Sequence, residues 1–243
     1  MLMEYLPLGN LEDQHKERRF SDNEIREMLP QSLDGLHWLH QQEIAHRDIK
    51  PENILVESRK PLHVKLSDLG FAKEGFAGEG NEDRYFQTIC GTGTYLAPEI
   101  AQYLRLPEGS HKRYNKKADI WSLGVVIYRF YCRLPYPGEG VGEGWCLDVI
   151  KHAEEWEPED VIDFLKKNML VWDPKLRSSA ETCIRETKTL HSESRSQTPT
   201  PSFHGKGHAA TAAIPVDIAD KDVYEQPISS SKVSKPQSLH SKV

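Results

Sequence analysis

Residues 46–53 read His-Arg-Asp-Ile-Lys-Pro-Glu-Asn, and this octapeptide constrains the chain more than any other segment. Five of its side chains combine a carboxylate, basic groups and an amide: His46, Arg47, Asp48, Lys50 and Asn53. At average residue usage, five fixed letters recur by chance roughly once in a few million start positions. An ordinary polar loop is the alternative interpretation, but further motifs follow downstream in register.

The downstream motifs are Asp68-Leu69-Gly70 and then Ala97-Pro98-Glu99. Together with the octapeptide, they resemble a eukaryotic-type protein serine/threonine kinase from the hinge onward, that is, its large lobe. The resemblance implies a mainly α fold with a small β hairpin, followed by a disordered tail. It also implies a function, the transfer of the γ-phosphate of ATP to Ser or Thr side chains of proteins with the help of Mg²⁺.

The resemblance assigns the chemistry to four side chains. Asp48 would be the catalytic base, and Lys50 would be the catalytic cation that also steadies the nucleotide. Asn53 and Asp68 would hold Mg²⁺, which prefers oxygen ligands and borrows others from the phosphates. Lys50 further implies specificity for Ser/Thr over Tyr. Small-molecule phosphotransferases share a related core and are the weaker alternative, because they generally lack the Ala-Pro-Glu element.

The first residues resemble the last strand of a kinase small lobe as it enters the hinge. By that resemblance, the Glu4 carbonyl and the Leu6 amide would pair with adenine. Asn10 would lie near the ribose. Leu11 and Leu55 would form the apolar floor of the nucleotide pocket, and without a pocket ceiling we expect them to face water.

The segment after the Asp-Leu-Gly motif resembles a kinase activation segment. Thr88 falls where an upstream kinase would place the activating phosphate, and Arg47 and Lys73 would converge on it through charge-assisted hydrogen bonds. An unmodified loop threonine is the alternative. Thr92 matches the threonine that bridges the catalytic Asp and Lys near the substrate hydroxyl. Glu52 would favour basic protein substrates.

Three further residues match structural supports of the same family. Glu99 should be buried against the guanidinium of Arg177. Asp119, at the start of a buried helix, should accept hydrogen bonds from the catalytic-loop backbone. We expect none of the three to take part in the chemistry.

Local patterns predict most of the secondary structure. Ser21 is a helix N-cap, and apolar residues then recur at helical spacing to Leu36, with Pro30 expected to kink or break the helix. Two β-prone runs, 54–56 and 64–66, flank Lys60-Pro61 and predict a hairpin. We expect further helices over 120–132, over 158–170 and after residue 178.

Composition divides the chain into a kinase domain, residues 1–187, and a disordered tail, residues 188–243. The tail has 56 residues, of which 14 are Ser or Thr and only 11 are Leu, Ile, Val, Phe or Tyr. Such a segment cannot bury enough apolar surface to offset its ordering entropy. The net charge of −6 argues against a nucleic-acid or anionic-membrane partner.

The chain also lacks a secretory signal pattern and a long apolar run, and its four cysteines show no paired spacing. We therefore expect reduced thiols and an intracellular, cytoplasmic or nuclear protein.

Two interpretations of the activity stay open, because the glycine-rich loop, strand lysine and helix glutamate of a small lobe are not found in the sequence. In the first, the chain is a large-lobe fragment or truncated product of an active kinase, with weak ATP binding and little turnover by itself. In the second, it is a catalytically inactive kinase-like binding or scaffold protein. Coding sequence upstream of Met1 would discriminate between them.

Overall fold

The structure, a computed structural model, describes residues 4–74, 76–77, 84–85, 93–102, 115–132 and 142–193. Within these ranges the chain forms seven α-helices and six short strands. The helices are α1 (Leu11–Glu17), α2 (Asp22–Gln41), α3 (Pro98–Ala101), α4 (Lys117–Tyr131), α5 (Glu143–Glu155), α6 (Asp160–Asn168) and α7 (Ala180–Glu193). The strands are β1 (Ile44–Ala45), β2 (Ile54–Arg59), β3 (Leu62–Leu66), β4 (Lys73–Glu74), β5 (Phe76–Ala77) and β6 (Arg84–Tyr85).

The strands pair only two by two in the described part of the chain, and each pair is antiparallel. The β2–β3 hairpin is the predicted one, with Ile54 opposite Leu66 and Val56 opposite Val64. β1 pairs with β4, and β5 pairs with β6. The prediction of a mainly α fold with a small β hairpin is therefore confirmed.

Helix α2 begins at a capping box. Ser21 Oγ accepts the Glu24 N–H at 3.4 Å, and a Glu24 carboxylate oxygen accepts the Ser21 N–H at 2.9 Å. The helix then continues through Pro30 to Gln41 without the break that the proline predicted. Pro30 removes one intrahelical donor, but the buried apolar face of the helix packs against β3, α4 and α7 and outweighs that loss.

Helix α4 is buried on nearly every side, as its apolar sequence predicted. Gly124 lies on this helix where a Cβ atom would come within 2.9 Å of Met169 Cβ and 3.2 Å of Leu170. The absent side chain thus lets α4 approach the end of α6 closely. Trp121 and Tyr128, both fully buried, fill the remaining space around α4.

The two C-terminal helices were predicted in place. The helix expected over 158–170 is α6, and the helix expected after residue 178 is α7, which packs on α2. Helix α7 continues past residue 187 to Glu193. The rest of the predicted tail, residues 194–243, lies outside the described residues.

Three of the four cysteines fall within the described residues, and all three are unpaired and buried. Burial raises the pKa of the thiols of Cys132, Cys146 and Cys183 to about 12. Cys90 lies outside the described residues. No helix in the described ranges has the length and apolar character needed to cross a bilayer.

Candidate active site

The octapeptide begins directly after β1, in a backbone conformation that needs support. Arg47 has φ 71°, in the left-handed region that costs a non-glycine residue about 1 kcal/mol or more. Asp119 at the start of α4 supplies the support, because its two carboxylate oxygens accept the N–H groups of His46 and Arg47, each at 2.9 Å. The buried helix α4 therefore fixes the backbone at the start of the octapeptide.

Asp119 is 2% exposed and stays ionised in that position. Burial alone would raise the pKa of its carboxyl, but the hydrogen bond from His40 Nε2 at 2.8 Å and the backbone donors hold the pKa below its usual value. His40, which was not among the residues predicted for the site, is thus a side-chain partner that stabilises this charge.

The two predicted catalytic side chains, Asp48 and Lys50, meet the predicted metal ligand Asn53 in the octapeptide. Lys50 Nζ lies 3.4 Å from Asp48 Oδ2, and Asn53 Nδ2 donates to the same oxygen at 2.9 Å and to the Asp48 carbonyl at 2.8 Å. Asp48 and Asn53 are each 6% exposed, whereas the Lys50 side chain is 24% exposed. The carboxylate is therefore held by two donors, and the ammonium group still reaches solvent.

Asp68 is brought beside Asn53 by the hairpin. Ser67 donates its N–H to the Asn53 carbonyl at 2.9 Å and its hydroxyl to the same oxygen at 3.1 Å. His46 Nε2 bonds the Ser67 carbonyl at 2.9 Å, so the octapeptide holds this end of the hairpin from both sides. Asp68 follows at once in a left-handed conformation, φ 56°, with its side chain exposed.

Two oxygens at this end of the hairpin fit a hard cation. The acceptors around Asn53 Nδ2 fix the amide orientation, so Oδ1 faces away from them, and no donor among the described residues engages it. Asp68 Oδ1 accepts the Gly70 N–H at 3.1 Å, while Oδ2 has no donor within the described ranges. Amide and carboxylate oxygens are the ligands that Mg²⁺ prefers.

The predicted nucleotide residues lie on the short segment before α1. The Leu6 carbonyl accepts the Gly9 N–H at 3.2 Å, and the Glu4 carboxylate pairs with Lys65 at 2.9 Å. Asn10 pairs with Leu55 across an isolated bridge, but its side chain caps α1 by accepting the Asp13 N–H at 2.9 Å.

The expected exposure of Leu11 is wrong, because this side chain is fully buried. Helix α1 packs against β2 and the turn Pro51–Asn53, which places Leu11 in the main core. Leu55 is half-buried.

The predicted activation residues are only partly visible. Thr88 and Thr92 lie outside the described residues. Lys73 on β4 pairs through its backbone with Ala45 on β1, and Arg47 follows Ala45 by two residues. Glu52 is exposed on the turn that carries Asn53.

A comparison with protein-family models gives a match to the protein kinase domain over residues 1–187. The chain belongs to the protein kinase family. The match covers the octapeptide, the Asp68 motif and the Ala-Pro-Glu motif, which are the segments that the sequence singled out. The predicted resemblance is therefore confirmed.

Curated relatives of this kinase include serine/threonine enzymes from distant organisms. The chain is 31% identical over 219 residues to "Probable serine/threonine-protein kinase fhkC" of Dictyostelium discoideum, covering 83% of this chain and 35% of the relative. It is 30% identical over 196 residues to "Serine/threonine-protein kinase 17A" of Oryctolagus cuniculus, covering 76% and 46%. It is 34% identical over 197 residues to "Serine/threonine-protein kinase cds1" of Schizosaccharomyces pombe, covering 76% and 40%. The kinase thus spans between a third and a half of the length of these relatives.

A buried ion pair ties the Ala-Pro-Glu motif of the kinase to the C-terminal helices. Arg177 is fully buried and donates to both Glu99 oxygens, at 2.7 and 2.9 Å. Its remaining donors bond the carbonyls of Val171, Lys117 and Trp172. Every nitrogen of the guanidinium has an acceptor, so removing one member of the pair would leave a buried charge uncompensated and cost about 3–5 kcal/mol.

Sequence reasoning missed a second ion pair, which joins α1 to α4. Arg129 donates to the two Glu12 oxygens at 2.5 and 3.0 Å and to the Tyr95 hydroxyl at 2.9 Å. Tyr95 belongs to Gly93–Ala97, which we call the docking segment because it leads into the Ala-Pro-Glu motif of the kinase. Glu12 and Arg129 are 117 residues apart, so no local spacing could have revealed their contact.

Proposed function

We propose that this chain carries the phosphoryl-transfer site of a protein serine/threonine kinase, which moves the γ-phosphate of ATP to Ser or Thr hydroxyls of proteins. The single observation that carries the proposal is the meeting of Asp48, Lys50 and Asn53 around one carboxylate oxygen. Asp68 leaves the hairpin beside that cluster. Phosphoryl transfer needs positioning and charge neutralisation more than covalent chemistry, and these groups supply both.

Each side chain takes one role in this proposal. Asp48, held in place by Asn53 Nδ2, accepts the hydrogen bond of the substrate hydroxyl and orients its oxygen. Lys50 reaches solvent beside Asp48 and offers a point charge to the γ-phosphate. Asn53 Oδ1 and Asp68 Oδ2 would hold Mg²⁺, which when bound neutralises phosphate charge.

Nucleotide selection would rest on the segment before α1. The Glu4 carbonyl and the Leu6 amide are proposed to pair with adenine, with Asn10 near the ribose and Leu55 beneath the base. The Asn10–Leu55 bridge supports this proposal, because it brings the segment next to the strand that follows Asn53. The capping bond of the Asn10 side chain means that contact with a ribose would run through its amide nitrogen or a water molecule.

Specificity for Ser and Thr is supported by Lys50 and by the names of the relatives. We propose protein substrates, with an upstream kinase acting on Thr88 and with Arg47 and Lys73 receiving its phosphate. Three buried free thiols are in keeping with the proposed intracellular location.

A catalytically inactive binding or scaffold role is the second candidate function. It is favoured by apolar side chains that stay exposed on both sides of the site. Tyr5 is 84% exposed, Leu69 43% and Phe71 44%. Exposed apolar surface of this kind can receive another polypeptide segment.

The test is transfer of labelled γ-phosphate to Ser- and Thr-containing peptides. The assay compares this chain, a chain extended by the coding sequence upstream of Met1, and Asp48→Ala in each. We expect Mg²⁺-dependent transfer that is strong only in the extended chain and that Asp48→Ala reduces by at least about a hundredfold. Transfer that survives Asp48→Ala would overturn the assigned chemistry, and no transfer by either parent chain would favour the scaffold role.

A further inference from the structure

The docking segment is held by donors from two helices that follow it in the chain. Ser122 Oγ on α4 donates to the Tyr95 carbonyl at 2.7 Å, and Trp145 Nε1 on α5 donates to the Thr94 carbonyl at 2.8 Å. Cys146 Sγ reaches the Leu96 carbonyl at 3.4 Å. These three donors anchor the backbone of the segment on the side that faces α4 and α5.

The Tyr95 side chain links the docking segment to Arg129 on α4. Its ring is buried, with 6% of the residue exposed, and its hydroxyl accepts a hydrogen bond from Arg129 Nη1 at 2.9 Å. Burial raises the pKa of the hydroxyl, so the group stays neutral and cannot compete for the guanidinium as an anion.

The guanidinium is oriented by Glu12, whose side chain is 11% exposed. Burial would raise the pKa of Glu12, but its hydrogen bonds and charge contact with Arg129 hold that pKa below the usual value, so the pair is ionised. Both Glu12 carboxylate oxygens accept hydrogen bonds from Arg129. This bidentate contact fixes the plane of the guanidinium, in which Nη1 also donates to the Tyr95 hydroxyl. Helix α1, which carries Glu12, packs against the turn Pro51–Asn53, which we call the catalytic turn because it lies between Lys50 and the strand after Asn53.

We propose that Glu12 and Arg129 are positioning residues, which hold the docking segment at a fixed distance from the catalytic turn through the Tyr95 hydroxyl. The bridge runs from the helix that touches the catalytic turn, through a carboxylate and a guanidinium, to the segment before Ala-Pro-Glu. Its consequence is that the surface offered to a substrate peptide moves as one body with Asp48 and Asn53. The consequence for a substrate peptide rests on the proposed function, whereas the link itself rests on the hydrogen bonds of Glu12, Arg129 and Tyr95.

The test is amide hydrogen exchange in the full chain, which requires no turnover. The amides of Leu96, Ile100 and Ala101 are hydrogen-bonded to Gly93 and Ala97 and report opening of the segment. We expect Tyr95→Phe and Arg129→Gln to speed their exchange about tenfold, the size expected for loss of a charge-assisted hydrogen bond. Amide exchange in the two variants should be compared with exchange in the natural chain at equal free energy of global unfolding, which is set by adjusting the urea concentration.

A charge swap and a matched control make the result specific. In the Glu12→Arg/Arg129→Glu double variant, the new carboxylate at position 129 can accept a hydrogen bond from the Tyr95 hydroxyl. Amide exchange in the segment should therefore become slow again. Arg26→Gln removes a similar two-pronged pair, Arg26–Asp160 between α2 and α6, and should leave the three amides unchanged. Unchanged exchange in Tyr95→Phe, equal acceleration in Arg26→Gln, or no recovery in the swap would each overturn the proposal. The outcome is independent of phosphotransfer, so failure of the proposed function is seen separately.

Discussion

Asp119 accepts the backbone N–H of His46 at 2.9 Å, although the two residues lie 73 positions apart in the sequence. The same carboxylate holds Arg47 N–H and His40 Nε2. A single buried charge on α4 therefore fixes the backbone at His46 and Arg47, and with it the start of the octapeptide that carries Asp48, Lys50 and Asn53.

Asp119→Ala should leave three donors without an acceptor in a dry site. Since each unsatisfied buried group costs about 1–3 kcal/mol, we expect the free energy of unfolding to fall by about 3 kcal/mol or more. Urea unfolding measures the change. Asp163→Ala is the matched control, because Asp163 is half exposed and pairs only with Lys166, and it should change stability by less than about 0.5 kcal/mol. Equal losses in the two variants would contradict the role of Asp119.

Gly124→Ala tests the close approach of α4 and α6. The new methyl group would meet Met169 Cβ at 2.9 Å, an atom too near the backbone to move aside. Overpacking of this kind costs about 1–3 kcal/mol, more than the gain in helix propensity of about 1 kcal/mol. Gly144→Ala in α5 is the control, since nothing lies within 4 Å of its Cβ position. Thermal unfolding should show a loss for the first variant and no loss for the second, whereas stabilisation of both would disprove the tight packing.

His15 makes stability depend on pH. Its Nδ1 accepts the Phe20 N–H at 3.4 Å, and its ring packs on Phe130 with centroids 4.6 Å apart. Burial, and then the charge of Arg129, lower the pKa of His15 below its usual 6.5. The neutral form is therefore favoured in the folded state, and its stabilising contribution is present above the unfolded pKa and lost as pH falls through the folded pKa.

We expect the free energy of unfolding to drop as pH falls through about 6.5, the usual histidine pKa, toward the lower pKa of the folded state. In His15→Gln, which keeps a hydrogen-bonding side chain without this titration, the drop should be smaller. Urea unfolding across that pH range measures both slopes. Identical slopes in the natural chain and the variant would exclude His15 as the titrating group.

The sequence predicted the parts of the fold that depend on local pattern. The Ser21 cap, the hairpin around Lys60-Pro61 and the buried helix near residue 120 all follow from short-range chemistry. The octapeptide allowed Asp48, Lys50 and Asn53 to be placed together because they are close in sequence. The contact between Glu99 and Arg177, which are distant in sequence, was predicted only from the family resemblance.

Features set by tertiary packing were not predictable in the same way. Pro30 does not break α2 because its apolar face is buried against other elements, and Leu11 is buried because α1 packs on the catalytic turn. The Glu12–Arg129 pair joins α1 to α4, and the sequence pattern of neither helix predicts contact with the other. In each case the deciding contact is distant in sequence.

The central claim is that Asn53 and Asp68 present oxygens to one metal–nucleotide complex beside Asp48. Calorimetric titration of ATP into the full chain, with and without Mg²⁺, tests it most directly. We predict weak but Mg²⁺-dependent binding that Asp68→Ala and Asn53→Leu each reduce by at least about tenfold, with Asp163→Ala unchanged. Binding that does not depend on Mg²⁺, or that survives loss of the Asp68 carboxylate, would contradict the account.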